Sequence, residues 1–344
     1  MGERPRILFL ADAGAKVGGG HVMRCLTLAG ALTRAGGTCA FVAAPAARGV
    51  LDAFSGRAVE VMAVGDEPSA SELAAAGVGA AEAWSADAIV ADHYGFGPRD
   101  DAALDAAAAR LLIVDDLRRR HACGLVLDSN IGRRAADYPG REVLAGPAYA
   151  LVRPAFAALR TATLARRASG EAPKRVLVSL GLTDAGAITG RVVRALLPAL
   201  GEASLDVVVG GEAPSRLELQ ALARVDSRVT VHVDARDMAG LIAAADIAVG
   251  AGGSSAWERC CLGLPSLTVI VADNQRENTA ALAGAGATLA VAPPSGDFDA
   301  RLRAAFGKLR ADAALRASMS AAAAALCDGL GADRVAERLL APAP

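Results

Sequence analysis

The sequence predicts an α/β protein with two Rossmann-like domains, each built on a parallel sheet. Short apolar runs alternate with alanine-rich helical stretches along the chain, as is typical of βαβ units. Several of these runs are continuously apolar, which indicates strands buried on both faces of a parallel sheet. A polar stretch at 159–174 divides the runs into two sets. We therefore expect one sheet on each side of it.

The strands follow in chain order. Five are predicted before the polar stretch, at Ile7–Leu10, Ala40–Ala43, Ala88–Ala91, Leu111–Val114 and Leu125–Leu127. Five more are predicted after it, at Arg175–Leu180, Leu205–Val209, Val229–Val233, Ile247–Val249 and Leu267–Val271. The stretch itself contains Ser-Gly and a proline, so it is interpreted as a linker. The predicted domains are residues 1–158 and 175–344, and the alanine-rich C-terminal helix could pack on either.

The composition excludes several classes of protein. The net charge of -1 gives no long-range field for nucleic acid or an anionic membrane. No stretch is both long and apolar enough to span a bilayer, and the N-terminus lacks the pattern of a secretory signal. The six cysteines form no C-x-x-C pair, which disfavours zinc and thioredoxin-type chemistry. Scattered thiols without an export signal favour the reducing cytoplasm.

A glycine-rich loop follows the first predicted strand, in the sequence ADAGAKVGGGH. The helical period begins at His21 and ends at Gly36-Gly37. His21 therefore lies in the first helical turn, where the helix dipole disfavours a positive charge. A neutral imidazole there can accept a proton as a general base, although a histidine that merely caps the turn is the alternative. The candidate ligand contacts of this loop are Gly19, Gly20 and Arg24.

A second glycine loop, in AVGAGGSSAWER, leads from the strand at Ile247–Val249 into a helix. Backbone N–H groups of Gly252 and Gly253 and the hydroxyls of Ser254 and Ser255 would bind a diphosphate at the helix N-terminus. Glu258 could accept hydrogen bonds from ribose hydroxyls. Alternatively, a serine caps the helix and Glu258 completes a capping box.

Polar residues at other strand ends are further candidates, because carboxyl ends of parallel strands line ligand crevices. They are Asp92, His93, Tyr94, Asp115, Asp116, Asn130, Thr183, Asp184, Asp273, Asn274 and Gln275. Tyr94 could bind a sugar or orient a water. Thr183 and Asp184 lie in a third ligand-facing turn, and the alternative is that either serves only as a helix cap. The histidines lack the spacing of a metal site, so no metal is predicted. His121 is expected to be exposed and His232 structural.

A set of motifs over about residues 6–290 carries a family resemblance. They are GGGHVMRCLTLA, ADHYG, DSNIGR, GPAYALVRPAF, SLGLTD, AGGSSAWERCCLGLP and ADNQREN. With them the chain resembles the UDP-sugar hydrolases of bacterial pseudaminic acid biosynthesis, which are similar to GT-B glycosyltransferases such as the enzyme that forms lipid II. The resemblance implies a GT-B-like fold whose two domains face a cleft, with UDP held mainly by the C-terminal domain. It implies His21 as the base, acting near Tyr94 and Asn274.

The resemblance also implies a reaction. It is hydrolysis of UDP-2,4-diacetamido-2,4,6-trideoxy-β-L-altropyranose to UDP and the free sugar, with inversion by base-activated water. The expected partner is this small UDP-sugar, with no cofactor, metal, nucleic acid or membrane; the oligomeric state stays open, with a monomer as the working expectation. Two alternatives remain: an inverting UDP-sugar glycosyltransferase and a non-catalytic nucleotide-sugar binding protein. Leu182 stands where family members often have a second glycine, and its side chain restricts the backbone there.

Overall fold

The computed structural model describes residues 4–14, 17–55, 60–122 and 124–341. Ala15 and Lys16 of the first glycine loop and Cys123 lie outside the described residues. The chain divides into two compact units. The first comprises the residues up to Leu151 together with those from Leu330 onward, and the second comprises Val152–Gly329.

The first unit contains a seven-stranded parallel sheet with the order β3-β2-β1-β4-β5-β6-β7. Its strands are β1 (Arg6–Ala11), β2 (Thr38–Ala43), β3 (Glu60–Ala63), β4 (Ala88–Asp92), β5 (Arg110–Val114), β6 (Leu125–Asp128) and β7 (Glu142–Ala145). Its first helices are α1 (Gly20–Arg34), α2 (Pro45–Phe54), α3 (Ala70–Trp84) and α4 (Pro98–Ala107). Alternate β1 residues enter two separate apolar cores, with Ile7 and Phe9 in one and Leu8 and Leu10 in the other. Burial on both faces explains the continuous apolar run of this strand.

The second unit contains a six-stranded parallel sheet with the order β10-β9-β8-β11-β12-β13. Its strands are β8 (Arg175–Ser179), β9 (Ser204–Val209), β10 (Val229–Val233), β11 (Ile247–Ala251), β12 (Ser266–Val269) and β13 (Leu289–Val291). Its helices are α5 (Pro154–Arg167), α6 (Ile188–Leu196), α7 (Arg216–Val225), α8 (Met238–Ala244), α9 (Ser255–Cys261), α10 (Arg276–Gly284), α11 (Phe298–Ala311) and α12 (Ala313–Leu326). The last helix, α13 (Gly331–Leu340), belongs to the first unit.

Each sheet reverses its strand order at one place, between β1 and β4 in the first unit and between β8 and β11 in the second. In such sheets the loops at the carboxyl ends of the two central strands diverge and leave a crevice for ligands. Both glycine loops predicted from the sequence follow one of these central strands, β1 and β11. The fold therefore places each of them where an α/β sheet binds its ligand.

The ten predicted strands are all present, and three further strands, β3, β7 and β13, were missed. The missed strands have three or four residues each and lie at sheet edges. Their residues are mostly exposed or half-buried, so they give no continuous apolar run for a sequence pattern to detect.

The predicted linker at 159–174 is wrong as a description of local structure, because its first nine residues form the end of α5. Arginine side chains of this stretch donate hydrogen bonds to backbone carbonyls. The Arg160 guanidinium donates to the carbonyls of Cys261, Ala324 and Cys327 within the same unit. These arginines occupy positions where a packed helix usually has apolar side chains. The stretch therefore lacks the apolar stripe by which a helix is recognised in a sequence, and its composition resembles that of a linker.

The C-terminal segment also differs from the predicted domain boundaries, because α13 joins the first unit rather than the second. Val335 and Leu339 of α13 are buried in the core that contains α1. Arg34 near the end of α1 donates to Asp333 over 2.6 Å. Among the described residues, no helix combines the length and the apolar character needed to cross a bilayer.

Candidate functional site

The first cluster of site residues lies at the carboxyl ends of β1 and β4. Ala11 at the end of β1 is aligned with Asp92 at the end of β4, and the Asp12 backbone N–H donates to the Asp92 carbonyl over 2.9 Å. After the glycine turn, α1 begins at Gly20 and directs His21 back to this edge. The His21 side chain is buried, with 4% of the residue exposed. The structure thus joins His21 and Asp92, which are 71 residues apart.

The distance between His21 Nδ1 and Asp92 Oδ1 is 2.5 Å. An ionised carboxylate only accepts hydrogen bonds, so we assign the proton of the neutral ring to Nδ1 and the lone pair to Nε2; Arg24 Nη2 also lies 3.2 Å from Nδ1. Burial alone would raise the pKa of Asp92, but the Arg24 guanidinium and the His21 imidazole outweigh it and hold that pKa well below its usual range. The pair therefore has the tautomer of a histidine that can accept a proton at Nε2.

Arg24 binds carboxylates at this site. Its Nε and Nη2 donate to the two Asp92 oxygens over 2.5 and 2.6 Å, and its Nη1 donates to Asp116 over 3.0 Å. Burial would lower the pKa of Arg24, but the Asp92 carboxylate raises it well above its usual value. The sequence predicted a ligand contact for Arg24, whereas the structure shows a guanidinium that fixes the carboxylate behind His21.

Tyr94 packs its ring edge-on against the His21 ring, with centroids 4.5 Å apart and an interplanar angle of 89°. Its hydroxyl donates to Asp116 over 3.0 Å. The loop at 93–96 is held by Arg119, whose Nη1 donates to three of the loop's carbonyls over 2.9–3.1 Å. Tyr94 therefore lies beside His21, as the family resemblance implies, and Arg119 holds its loop in place.

His121 is buried, so the prediction that it is exposed is wrong. Its Nδ1 lies 2.9 Å from Asp101 and its Nε2 lies 3.3 Å from Asp115. Burial alone would lower the pKa of His121, but the hydrogen bond to Asp101 and the nearby Asp115 carboxylate raise it. The neighbouring Arg119 also binds Asp115, over 2.9 Å. The two carboxylates belong to other parts of the chain, so the local sequence around His121 does not reveal them.

We expect His121 to make the stability of the protein pH-dependent. Because its folded pKa is raised, its stabilising contribution is complete below the unfolded pKa of about 6.5 and is lost as the pH rises through the folded value. A tenfold gain in proton affinity on folding contributes about 1.4 kcal/mol to the free energy of unfolding. In urea unfolding between pH 5.5 and 8.5, the difference in free energy of unfolding between wild type and His121→Asn should shrink as the pH rises.

Arg34→Gln is the control, because it removes an exposed cation, and an arginine keeps its charge throughout this pH range. It should change the free energy of unfolding by about the same amount at every pH. A constant difference between wild type and His121→Asn over the whole range would contradict the charged bridge.

The other polar residues at this edge have structural partners. His93 accepts a hydrogen bond from the Gly95 N–H at Nδ1, and its Nε2 lies 3.7 Å from Asp12, whereas Asp115 binds Arg119 and His121. The Asn130 amide donates to the Asp116 carbonyl over 3.2 Å. Within the described ranges, no group of three or more His, Cys, Asp or Glu side chains could hold a metal ion.

The second cluster lies in the second unit, at the carboxyl ends of β8, β11 and β12. The Gly252 N–H donates to Gln275 Oε1 over 3.1 Å, and the Val271 N–H donates to the same oxygen over 3.2 Å. A Cβ at Gly252 would lie 2.3 Å from Thr279 Oγ1, so the loop requires glycine here. Gln275 therefore holds the glycine loop in place. Asn274 lies beside it, exposed, in the turn Asp273–Gln275.

The predicted alternative of a capping box at α9 is wrong. Ser254 is the N-cap of α9, but its side chain accepts no hydrogen bond from the described residues of the helix. Glu258 instead accepts from Arg153 Nη2 over 3.0 Å. Burial raises the pKa of Glu258, and Arg153 opposes that rise. Ser255 Oγ accepts from Arg259 over 3.2 Å.

The third turn, after β8, separates Thr183 from Asp184. Thr183 is exposed, whereas Asp184 is fully buried. The two oxygens of Asp184 accept from the backbone N–H groups of Thr189 in α6 and of Ser215, over 2.8 and 3.0 Å. The structural alternative therefore describes Asp184 better than ligand binding, and Thr183 stays a predicted ligand contact.

Leu182 does not strain this turn, because the positive φ of 110° belongs to Gly181. The Leu182 carbonyl accepts from the Gly210 N–H over 3.1 Å. A Cβ at Gly210 would lie only 2.3 Å from that carbonyl oxygen. Glycine at position 210, which directly follows β9, thus allows its backbone to approach the backbone of Leu182.

Gly210→Ala is expected to lower the free energy of unfolding by about 1–3 kcal/mol, because the new methyl group must displace the backbone at Leu182. Gly211→Ala is a matched control. Its Cβ would lie 2.9 Å from the end of the Asp234 side chain, which can move. Chemical denaturation measures both, and equal losses would contradict the role of the Leu182 contact.

Comparisons with known proteins place this geometry in context. No protein-family model matches the chain. It is 27% identical over 192 residues to the spore coat polysaccharide biosynthesis protein SpsG of Bacillus subtilis, covering 55% of this chain and 56% of that protein. It is 32% identical over 210 residues to a UDP-N-acetylglucosamine–N-acetylmuramyl-(pentapeptide) pyrophosphoryl-undecaprenol N-acetylglucosamine transferase of Xanthomonas axonopodis, covering 59% of this chain and 48% of that enzyme. The chain thus spans about half the length of these two relatives.

A third relative is the UDP-2,4-diacetamido-2,4,6-trideoxy-beta-L-altropyranose hydrolase of Campylobacter jejuni, at 22% identity over 243 residues, covering 69% of this chain and 81% of that enzyme. Among solved structures, MurG from Acinetobacter baumannii aligns with a TM-score of 0.71 at 17% identity, over 97% of this chain and 99% of that one. UDP-GlcNAc 2-epimerase from Neisseria meningitidis bound to UDP-GlcNAc aligns with a TM-score of 0.65 at 12% identity, over 98% and 100% of the two chains. The predicted fold class is confirmed: this is an α/β chain of the GT-B type with two parallel-sheet units.

Proposed function

We propose that the protein hydrolyses a UDP-sugar, with His21 as the base that activates water. The observation that carries the proposal is the 2.5 Å contact between His21 Nδ1 and a fully buried Asp92, which leaves Nε2 as a proton acceptor. The named relatives that process UDP-sugars, a transferase and a hydrolase, support an enzyme that acts on this substrate class.

The first unit supplies the base in this proposal. Water forms a bond to the anomeric carbon as the carbon–oxygen bond to the diphosphate breaks, so the anomeric configuration inverts. His21 Nε2 takes one proton of the water, and Asp92 stabilises the imidazolium that forms. Tyr94, held edge-on against His21, orients the water or the sugar.

The second unit binds the nucleotide. Gln275 fixes the loop Gly252–Ser255 by accepting from the Gly252 N–H, and the N–H groups that we propose for the diphosphate are those of Gly253, Ser254 and Ser255 at the start of α9. These dipoles stabilise the diphosphate as it leaves with the bonding electron pair. UDP departs as a stable anion, so it needs no protonating acid. Thr183, Glu258 and Asn274 are the further contacts we propose for the substrate on this unit.

The specific substrate that we propose is UDP-2,4-diacetamido-2,4,6-trideoxy-β-L-altropyranose, with UDP and the free 2,4-diacetamido-2,4,6-trideoxy-L-altrose as products. It is supported by the Campylobacter relative, whose match covers 81% of that enzyme. The second candidate is an inverting glycosyltransferase, favoured by the 32% identity to the Xanthomonas transferase. There the same base would deprotonate an acceptor hydroxyl instead of water.

Proton NMR of the anomeric signals tests the proposal on purified protein mixed with this UDP-sugar and no acceptor. Hydrolysis predicts loss of the UDP-sugar signal, release of UDP and first appearance of the free sugar in the inverted configuration. Binding without UDP release would contradict hydrolysis. In that case, release that begins only when an acceptor is added identifies a transferase.

A further inference from the structure

The second unit contains a cavity of about 300 Å³ at the end of its sheet that lies away from the loop Gly252–Ser255. It is lined by the residues that precede the strands, with Lys174 before β8, Asp246 before β11 and Pro265 before β12. Residues of α5 and α12 complete the wall. It therefore lies at the amino ends of the strands and is separate from the proposed nucleotide loop at their carboxyl ends.

The cavity wall carries an excess of positive charge, with five basic side chains and two acidic ones. Three of the basic groups have carboxylate partners. Arg166 donates to Asp246 over 2.6 Å, Lys174 lies 3.1 Å from Glu171, and Arg175 binds Asp206. Both acidic residues of the wall are thus already paired with cations.

The remaining two basic groups, Arg167 and Arg316, donate to backbone carbonyls of the described chain. Arg167 binds the carbonyls of residues 242, 245 and 262 over 2.6–2.8 Å, and Arg316 binds those of residues 171, 309 and 310 over 2.7–3.3 Å. Each guanidinium has five N–H groups, so these three bonds leave donor capacity on both side chains. Arg316 is buried, with 9% exposed.

Carbonyl binding leaves the charge of Arg167 only partly compensated. Its partners lie at the C-terminal ends of α8 and α9, whose dipoles supply a partial negative charge. Burial and the neighbouring Arg166 nevertheless lower the pKa of Arg167 to about 9. A helix-capping role accounts for the three hydrogen bonds, but it does not account for an open cavity with one half-buried and one buried guanidinium group, neither of which binds a carboxylate among the described residues.

We propose that this cavity binds a phosphate group, either as free inorganic phosphate or as the phosphoryl group of a small metabolite. A phosphate dianion offers several acceptor oxygens to planar guanidinium groups, which bind it through two N–H groups at a time. The volume is at the lower end of the range for small-molecule sites. The bound anion supplies the negative charge that the wall lacks and stabilises the second unit.

The test uses the full chain at constant ionic strength, first without nucleotide and then in saturating UDP, because UDP occupies the proposed nucleotide loop but also carries a phosphoryl group itself. Above its Kd, inorganic phosphate should raise Tm with the logarithm of its concentration, by about 5–10 °C at a hundred times its Kd. Glycerol 3-phosphate is titrated in parallel: tighter binding than phosphate identifies a metabolite as the source, and weaker binding identifies free phosphate. A Tm that does not respond to either anion would overturn the proposal.

The decisive variant is Ala317→Glu, which places a carboxylate in the cavity from an exposed position on α12 where glutamate suits a helix. It should weaken phosphate binding at least tenfold by supplying the missing charge itself. Ala317→Gln has nearly the same shape without the charge, and Ala325→Glu adds the same charge two turns further along α12, at an exposed position outside the cavity wall. Both should keep the phosphate response, and equal affinity in all three variants would overturn the site.

Discussion

Replacing His21 with asparagine is expected to lower kcat for UDP-sugar hydrolysis by about 10²–10⁴-fold, the range for loss of a general base. The asparagine amide can donate to Asp92 from about the position of Nδ1, so the hydrogen bond behind the ring survives. The proton acceptor at Nε2 does not. UDP affinity should stay near that of wild type, because the proposed nucleotide contacts belong to the second unit. Turnover by anomeric NMR and UDP titration by calorimetry measure the two quantities.

Two controls make this result specific. Thermal unfolding of His21→Asn shows whether α1 and the core around it remain folded. His93→Asn removes the neighbouring imidazole, which faces Asp12 and the Gly95 N–H, and should cost much less turnover. Near-normal kcat in His21→Asn, or an equal loss in His93→Asn, would show that His21 is not the base.

Most of the strands that can be predicted from the sequence are buried on both faces of their sheet. The run Ile7–Leu10 is continuously apolar because its residues enter two cores on opposite faces of the sheet. Edge strands such as β3 and β13 lack that signal, since one side of each is open. The same physics explains α5, where arginines bound to carbonyls take the place of an apolar stripe.

The site was predictable where local sequence fixes position. A glycine turn after a buried strand places His21 at the carboxyl edge, and the end of β4 places Tyr94 beside it. The partners of the charged groups were not predictable, because they are distant in sequence. Arg24 is 68 residues from Asp92, and His121 depends on carboxylates from α4 and from the end of β5. Local patterns show that a charge is present but not which charge faces it.

Asp92→Asn is expected to have the second large effect, a loss of kcat of about 10²–10⁴-fold together with a loss of stability. Asparagine can donate its amide N–H to Nδ1, which moves the ring proton to Nε2 and removes the base without moving the ring. The substitution also removes the buried negative charge that faces the Arg24 guanidinium and one of the two Asp92 oxygens that accept from it, and it leaves Asp116 as the carboxylate partner of Arg24. Breaking a buried ion pair in this way costs about 3–5 kcal/mol, so turnover must be measured per folded molecule.

A double variant separates the two consequences. Adding Arg24→Met to Asp92→Asn removes the guanidinium that has lost its buried carboxylate and keeps most of its apolar volume, so part of the lost stability should return in urea unfolding. Turnover should not return, because His21 still has its proton on Nε2. If the double variant regains both stability and kcat, Asp92 only balances the charge of Arg24. If it regains stability alone, Asp92 sets the tautomer of the base, and the 2.5 Å contact is part of the chemistry.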